Sequence, residues 1–149
     1  MKVSPETTPT DKDSTTQLLR LPDGLVGLPE YKSFELLYDP EQLPFIWLRL
    51  HGPDQLHFVV IEPAGIIPDY DLELFDEDAT SLGITESADA LVFNIVTVHP
   101  GPQSAATVNL AGPIIVNRRT GIAKQCVLAN YGRYSAHHPL IDNAAVAGH

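Results

Sequence analysis

Alternation with a period of two is the feature that most constrains this chain. Pro44–His51 reads PFIWLRLH, with Phe45 and Trp47 on one side and Ile46, Leu48 and Leu50 on the other. That spacing segregates apolar residues on a pleated strand and scatters them around a helix. Leu56–Glu62, Leu91–Val98, Ala106–Leu110 with Ile114–Val116, and Ile122–Ala129 are further runs rich in β-branched and aromatic residues. Each is bounded by Pro, Gly or Asp, as strands are. Asn117-Arg-Arg-Thr-Gly121 joins two runs at hairpin length, with Gly121 free to adopt a positive φ. One short helix is expected over Phe75–Gly83, with Asp76 as N-cap, Glu77 and Asp78 at the positive end of the dipole, and Gly83 as its stop. The fold class is therefore all-β, a small antiparallel β-barrel or sandwich with one short helix. Within it Trp47 is read as core.

The 149 residues fit one domain. Residues 1–16 hold Ser, Thr, Pro and charge with almost no large apolar side chain, and are expected to form a flexible tail. Residues 142–149 are expected to be a second tail, leaving 17–141 for the domain. The single Cys126 excludes an internal disulfide and multi-cysteine metal sites, and it reads as a buried, inert thiol. No apolar run approaches the 18 residues of a membrane span, and the N-terminus lacks the apolar segment of a signal peptide. A cytoplasmic protein without a membrane partner is the expectation.

Charge narrows the function. Nine Lys and Arg face nineteen Asp and Glu, a formal net charge of −10. Such a chain is repelled by phosphate backbones, so direct nucleic-acid binding is not expected. Between Arg49 and Arg118 there is no Lys or Arg, but there are ten carboxylates: Asp54, Glu62, Asp69, Asp71, Glu73, Asp76, Glu77, Asp78, Glu86 and Asp89. This interval is either a solvated surface that maintains solubility or a docking face for a basic protein. Tyr70, framed by Asp69 and Asp71, has two readings as well. It presents its ring to a partner's Arg or Lys, or packs the ring on the domain with its hydroxyl in water.

Catalytic signatures are lacking. The six histidines share no metal-ligand spacing, and there is no GxSxG, P-loop or GxGxxG pattern. No cofactor is expected. Asn94 interrupts the apolar face of Val92, Val96 and Val98 and reads as a satisfied core amide; Asn109 reads as the residue that fixes the turn into the next strand.

The segment Leu21-Pro-Asp-Gly-Leu-Val-Gly-Leu-Pro-Glu-Tyr-Lys-Ser-Phe34 resembles the opening of the flagellar assembly factor FliW family, commonly Phe-Pro-x-Gly-Leu-x-Gly-Phe. Further matches follow in order: Pro44-Phe-Ile-Trp-Leu48, Phe58-Val-Val-Ile-Glu-Pro63, Pro68-Asp-Tyr70, Thr107-Val-Asn-Leu110, Pro113-Ile-Ile-Val-Asn117, Lys124-Gln125 and His138-Pro-Leu140. Together they cover nearly all of residues 20–140. The chain departs from the pattern at Leu21 and Leu28, where Phe is common, and at Arg49 and Leu50, where Gln-Ser is common.

The resemblance implies a non-enzymatic β-barrel with two protein partners. One is the translational regulator CsrA, a small basic RNA-binding dimer that represses flagellin mRNA. The other is flagellin, whose capture of the adaptor would release CsrA again. On that reading Asp69, Tyr70, Asp71 and Glu73 form part of the surface facing the basic partner, extended by Asp76, Glu77 and Asp78. Two alternatives stand beside it: a flagellin chaperone without a regulator partner, and a small hydrolase or isomerase using carboxylate and His pairs.

Overall fold

The structure, a computed structural model, describes residues 1–5, 18–99 and 105–140. In chain order these form β1 (Lys2–Val3), β2 (Leu18–Arg20), β3 (Ser33–Leu37), β4 (Ile46–His51), β5 (Gln55–Ile61), β6 (Leu72–Glu73), α1 (Asp76–Leu82), β7 (Ala90–His99), β8 (Ala105–Val108), β9 (Ile114–Asn117), β10 (Ala123–Gln125) and β11 (His138–Pro139). Seven strands follow the order β10-β9-β7-β5-β4-β3-β2, each pair antiparallel. The long strand β7 serves two neighbours on one side: its first half pairs with β9, and its second with β8, which β11 joins. The sheet curls until its two ends approach at one bridge between Arg20 and Ile122, where the Arg20 N–H donates to the Gly121 carbonyl over 2.9 Å. The architecture is an incompletely closed barrel rather than one sealed by a ladder.

Alternation sorts the side chains into two cores. Phe34, Leu48, Leu50, Val60, Phe93 and Ile114 fill the barrel interior. Ile61, Val92, Val108, Ile115, Cys126 and Leu128 belong to a second cluster on the other face, covered by β6 and α1 through Tyr70, Leu72, Leu74 and Leu82. Phe93 thus faces one core and Val92 the other; Ile114 and Val116 face one and Ile115 the other. β7 and β9 are buried on both faces here, which explains their nearly unbroken apolar sequences. Leu50 stands where the family pattern often has Ser, and it adds a fully buried side chain to the interior.

Three expectations need correction. Residues 1–16 are not a uniform tail: Lys2 and Val3 pair with Glu73 and Leu72, and Val3 is 1% exposed. Burying one valine and joining two strands outweighs the polar composition at this point. Residues 6–17 and 141–149 lie outside the described residues, and the tail reading for them with it. Trp47 is not core. Its interior-facing neighbours Ile46 and Leu48 are buried, and the pleat turns Trp47 outward, 41% exposed. There its Nε1 donates to Gln42 Oε1 over 2.9 Å, and its ring meets His57 edge-on. Asp76 is the first residue of α1 rather than its cap. Phe75 occupies the N-cap and offers no side-chain hydrogen bond, while Gly83 ends the helix at φ 69°.

Candidate functional site

The carboxylate-rich segment 69–78 is built on the same period of two. Tyr70, Leu72 and Leu74 point into the second core, and Asp69, Asp71, Glu73 and Phe75 alternate with them on the outer side. Asp69 enters the segment at φ 56°, a conformation that Asp tolerates better than most residues. One flank is held by β1: Lys2 lies opposite Glu73, and the Leu74 N–H donates to the Met1 carbonyl over 2.8 Å.

The other flank is held by the chain after β10. The Ala129 N–H donates to the Glu73 carbonyl over 2.7 Å. Asn130 then substitutes for a strand: its Oδ1 accepts from the Glu73 N–H over 3.1 Å, and its Nδ2 donates to the Asp71 carbonyl over 2.8 Å. The Tyr134 hydroxyl accepts from the Asp71 N–H over 2.8 Å and lies 3.1 Å from the Asp71 carbonyl. Between these two side chains Tyr131–Arg133 form a single 3-10 turn, and the Tyr134 hydroxyl also lies 3.4 Å from the Asp69 carbonyl, so side chains rather than a strand ladder hold this flank. Sequence reasoning did not single out Asn130 or Tyr134, because neither has an apolar period to announce it.

The seven predicted residues do not share one fate. Asp69, Asp71, Asp76 and Glu77 are exposed, and Glu73 is half-buried. Asp76 lies 3.7 Å from the Met1 amino group, with its own side chain almost fully in water. Asp78 turns inward and meets Lys124 Nζ at 2.7 Å, tying α1 to β10. That hydrogen bond holds the Lys124 ammonium above its usual range, against a smaller opposing effect of burial. Its charge is therefore matched within the fold. Tyr70 is 3% exposed and answers to neither reading offered for it, since ring and hydroxyl are both buried.

Tyr70 belongs to a polar network inside the second core. Its hydroxyl donates to the Leu110 carbonyl over 2.6 Å and accepts from Asn94 Nδ2 over 3.0 Å. Burial pushes the phenol well above its ordinary range, so it remains a donor. Asn94 Nδ2 also donates to the Asn109 carbonyl over 3.0 Å, but its buried Oδ1 has no partner among the described residues. The amide anticipated as satisfied is satisfied on its nitrogen alone, because the Asn109 carbonyl dictates which end faces it. Asn109 behaves as expected: its Oδ1 accepts from the Ala111 and Gly112 N–H groups over 3.0 and 2.9 Å. Tyr70→Phe leaves the Leu110 carbonyl without this donor, and the expected loss is about 1–2 kcal/mol in urea unfolding. Affinity for a partner at the neighbouring carboxylates is expected to stay within twofold, since the hydroxyl never reaches that surface.

Elsewhere the chemistry is structural. Cys126 is buried, and desolvation pushes its thiol up to about 12, away from the nucleophilic range. On the outer face of β3 and β4, Arg49 donates through Nε (2.9 Å) and Nη2 to Glu35 Oε1, and His51 Nε2 lies 3.3 Å from the same oxygen. The Arg49 hydrogen bond is the chief cause that lowers the Glu35 carboxyl below its ordinary value. Arg49, where the family pattern often has Gln, is thus occupied by Glu35. Among the described residues no three His, Cys, Asp or Glu side chains come together as a metal site.

Comparison with known proteins agrees with this geometry. The profile of the family described as FliW protein matches residues 6–140. The flagellar assembly factor FliW of Treponema pallidum is 34% identical over 145 residues, 97% of this chain and 95% of that protein. Those of Treponema denticola and Leptospira interrogans are 36% and 35% identical, each spanning 89% of this chain and 88% of its own length. A crystal structure of the flagellar assembly factor FliW superposes with a TM-score of 0.73 at 35% identity, over 84% of this chain and 86% of that one. The match runs through both cores and through the carboxylate segment, and the chain belongs to the FliW family.

Proposed function

We propose that this protein is a cytoplasmic flagellar assembly factor that works by exchanging protein partners rather than by catalysis. It binds the translational regulator CsrA and relieves repression of flagellin mRNA, and it binds flagellin, which returns CsrA to its RNA. Family membership over residues 6–140 supports the assembly role. The observation that carries the regulator half is the outward carboxylate row, Asp69, Asp71 and Glu73, continued by Asp76 and Glu77 at the start of α1. Among the described residues no ion pair engages Asp69, Asp71 or Glu77. A surface that holds RNA phosphates must be basic, and such a row presents the opposite field, which speeds encounter and selects the partner. Among the described residues no helix is long and apolar enough to cross a membrane.

Calorimetric titration of this protein with its own host's CsrA, at two salt concentrations, tests the reading. Wild-type protein is expected to bind, to bind less tightly at the higher salt, and to displace a target RNA. Asp69→Lys/Asp71→Lys/Glu77→Lys is expected to weaken binding at least tenfold at low salt and to flatten the salt dependence. Unchanged affinity in the triple variant would remove the carboxylate row from the interface. Absence of wild-type binding to CsrA, with flagellin still bound, would leave a chaperone.

A further inference from the structure

Asp71 and Glu73 owe their place to side chains from outside their own segment. In an extended chain, alternate residues send their backbone groups to one edge and their side chains to one face. Leu74 turns its N–H toward Met1 on the β1 edge. Asp71 and Glu73 turn theirs the other way, toward residues 129–134. The Asp71 N–H donates to the Tyr134 hydroxyl, and the Asp71 carbonyl accepts from Asn130 Nδ2. The Glu73 N–H donates to Asn130 Oδ1, and the Glu73 carbonyl accepts from the Ala129 N–H. Edge and face alternate together, so the two residues held this way are ones whose carboxylates face outward.

Asn130 and Tyr134 do little for their own turn. It closes on backbone groups: the Arg133 N–H donates to the Asn130 carbonyl, and the Tyr134 N–H to the Tyr131 carbonyl, each over 3.0 Å. Asn130 stands at the N-cap of that turn and makes no capping bond with its side chain. The Tyr134 ring is seated independently of its hydroxyl, edge-on to Tyr70 at 5.0 Å, with the Arg133 guanidinium 5.5 Å from its centroid. Removing the hydroxyl therefore leaves the ring in place and releases the row. Its bonds to Asp71 lie at exposed positions, where water replaces them, so their loss loosens the segment without unfolding the domain.

We infer that Asn130 and Tyr134 are positioning residues for the basic partner: they hold Asp71 and Glu73 in the arrangement that the partner meets. This role rests on the function proposed above and falls to two uncharged residues that the field of the row does not single out. A row ordered during folding pays no ordering entropy at encounter. A released row is in place for only a fraction of the time, and association slows by that fraction. The complex, once formed, keeps its contacts, so dissociation is unchanged. The number of charges is also unchanged, so the salt dependence persists. Asp76 and Glu77 stand on α1, outside the clamp.

Amide hydrogen exchange of the free full-length protein reads the clamp directly. Tyr134→Phe is expected to speed exchange at the Asp71 N–H, and Asn130→Ala at the Glu73 N–H, each about tenfold, with the amides of β7 and β9 at wild-type rates. Stopped-flow association with the host's CsrA is expected to slow about fivefold in each variant, with dissociation and salt dependence within about twofold of wild type. Tyr131→Phe, the same change of chemistry within the same turn, is expected to alter none of these. In an Asp71→Asn background the effect of Tyr134→Phe on association is expected to shrink to within about twofold, and in a Glu77→Gln background to remain whole. Unchanged exchange at Asp71 and Glu73 would refute the clamp. Faster exchange with association at the wild-type rate would make it a structural device alone, and the positioning role fails while the functional reading stands. An undiminished effect in Asp71→Asn would also refute the role, since the effect would not run through that carboxylate. If wild type does not bind CsrA at all, the functional reading itself falls, and the positioning role with it.

Discussion

Asn117→Ala is expected to lower stability by about 2–4 kcal/mol, although it removes only three heavy atoms from the end of a strand. Asn117 is 1% exposed and joins three pieces of the fold. Its Nδ2 donates to the carbonyl of Leu82, the last residue of α1, over 2.7 Å. Its Oδ1 accepts from the Arg119 and Thr120 N–H groups over 2.8 and 3.3 Å, inside the turn between β9 and β10. The backbone of the same residue closes that turn, donating to the Ile122 carbonyl and accepting from the Gly121 N–H. Alanine keeps the backbone bonds but strands a buried helix carbonyl and frees the turn, and each unpaired buried group costs about 1–3 kcal/mol. Asn117→Asp separates the two halves. It retains an acceptor for the turn but sets a buried carboxylate against the helix C-terminus, where the dipole also opposes it, so it is expected to be no better than alanine near neutral pH. Urea unfolding reads both, with the midpoint falling and the slope unchanged. A loss below about 1 kcal/mol for Asn117→Ala would mean that α1 and the hairpin do not depend on this amide.

Asn117 also marks how far the sequence could be read. The turn it opens was legible because turn chemistry is local: Asn at one end and Gly at the other suffice. The β-branched run Ile114–Asn117 and the alternating Ile46–His51 were legible for the same reason, since the residue types of the one and the period of the other are both local. What depends on a distant neighbour was not. Lys2–Val3 reads as tail because a two-residue strand has no period, and its partner lies some seventy positions along the chain. Trp47 reads as core because both faces of PFIWLRLH carry apolar residues, and only the curl of the sheet decides which is covered. Residues 69–78 were grouped by proximity in sequence, whereas alternation sends Tyr70 inward and the helix turns Asp78 toward Lys124. The same alternation would have paired Phe75 with Asp71 and Glu73 on the outer face. Ala129, Asn130 and Tyr134 become neighbours of Asp71 and Glu73 only through hydrogen bonds that no local pattern announces.

Gly24→Ala is expected to cost about 3–5 kcal/mol, the sum of a forced left-handed backbone and a steric clash. Leu21-Pro-Asp-Gly-Leu-Val-Gly-Leu-Pro29 is a chain of tight turns: the Gly24 N–H donates to the Leu21 carbonyl over 3.0 Å, and the Leu28 N–H to the Leu25 carbonyl over 2.8 Å. The turns fold the segment back on itself, with Leu21 and Leu25 buried in the barrel interior. Gly24 sits at φ 68°, and a Cβ there would meet the Leu28 carbonyl oxygen and lie 2.6 Å from Pro29 Cα. Both obstacles are backbone, so neither can swing aside as a side chain could. Gly27, at φ 82°, has open space where its Cβ would be. Gly27→Ala therefore bears the conformational strain alone and is expected to cost about 1–2 kcal/mol. Comparing the two in urea divides the motif into its two requirements. Equal losses would show that the close approach of the chain at Leu28–Pro29 relaxes at no cost and that φ alone demands glycine. A larger loss at Gly24 places the demand where the motif crosses its own backbone, and makes this glycine the residue that holds Leu21 and Leu25 in the barrel.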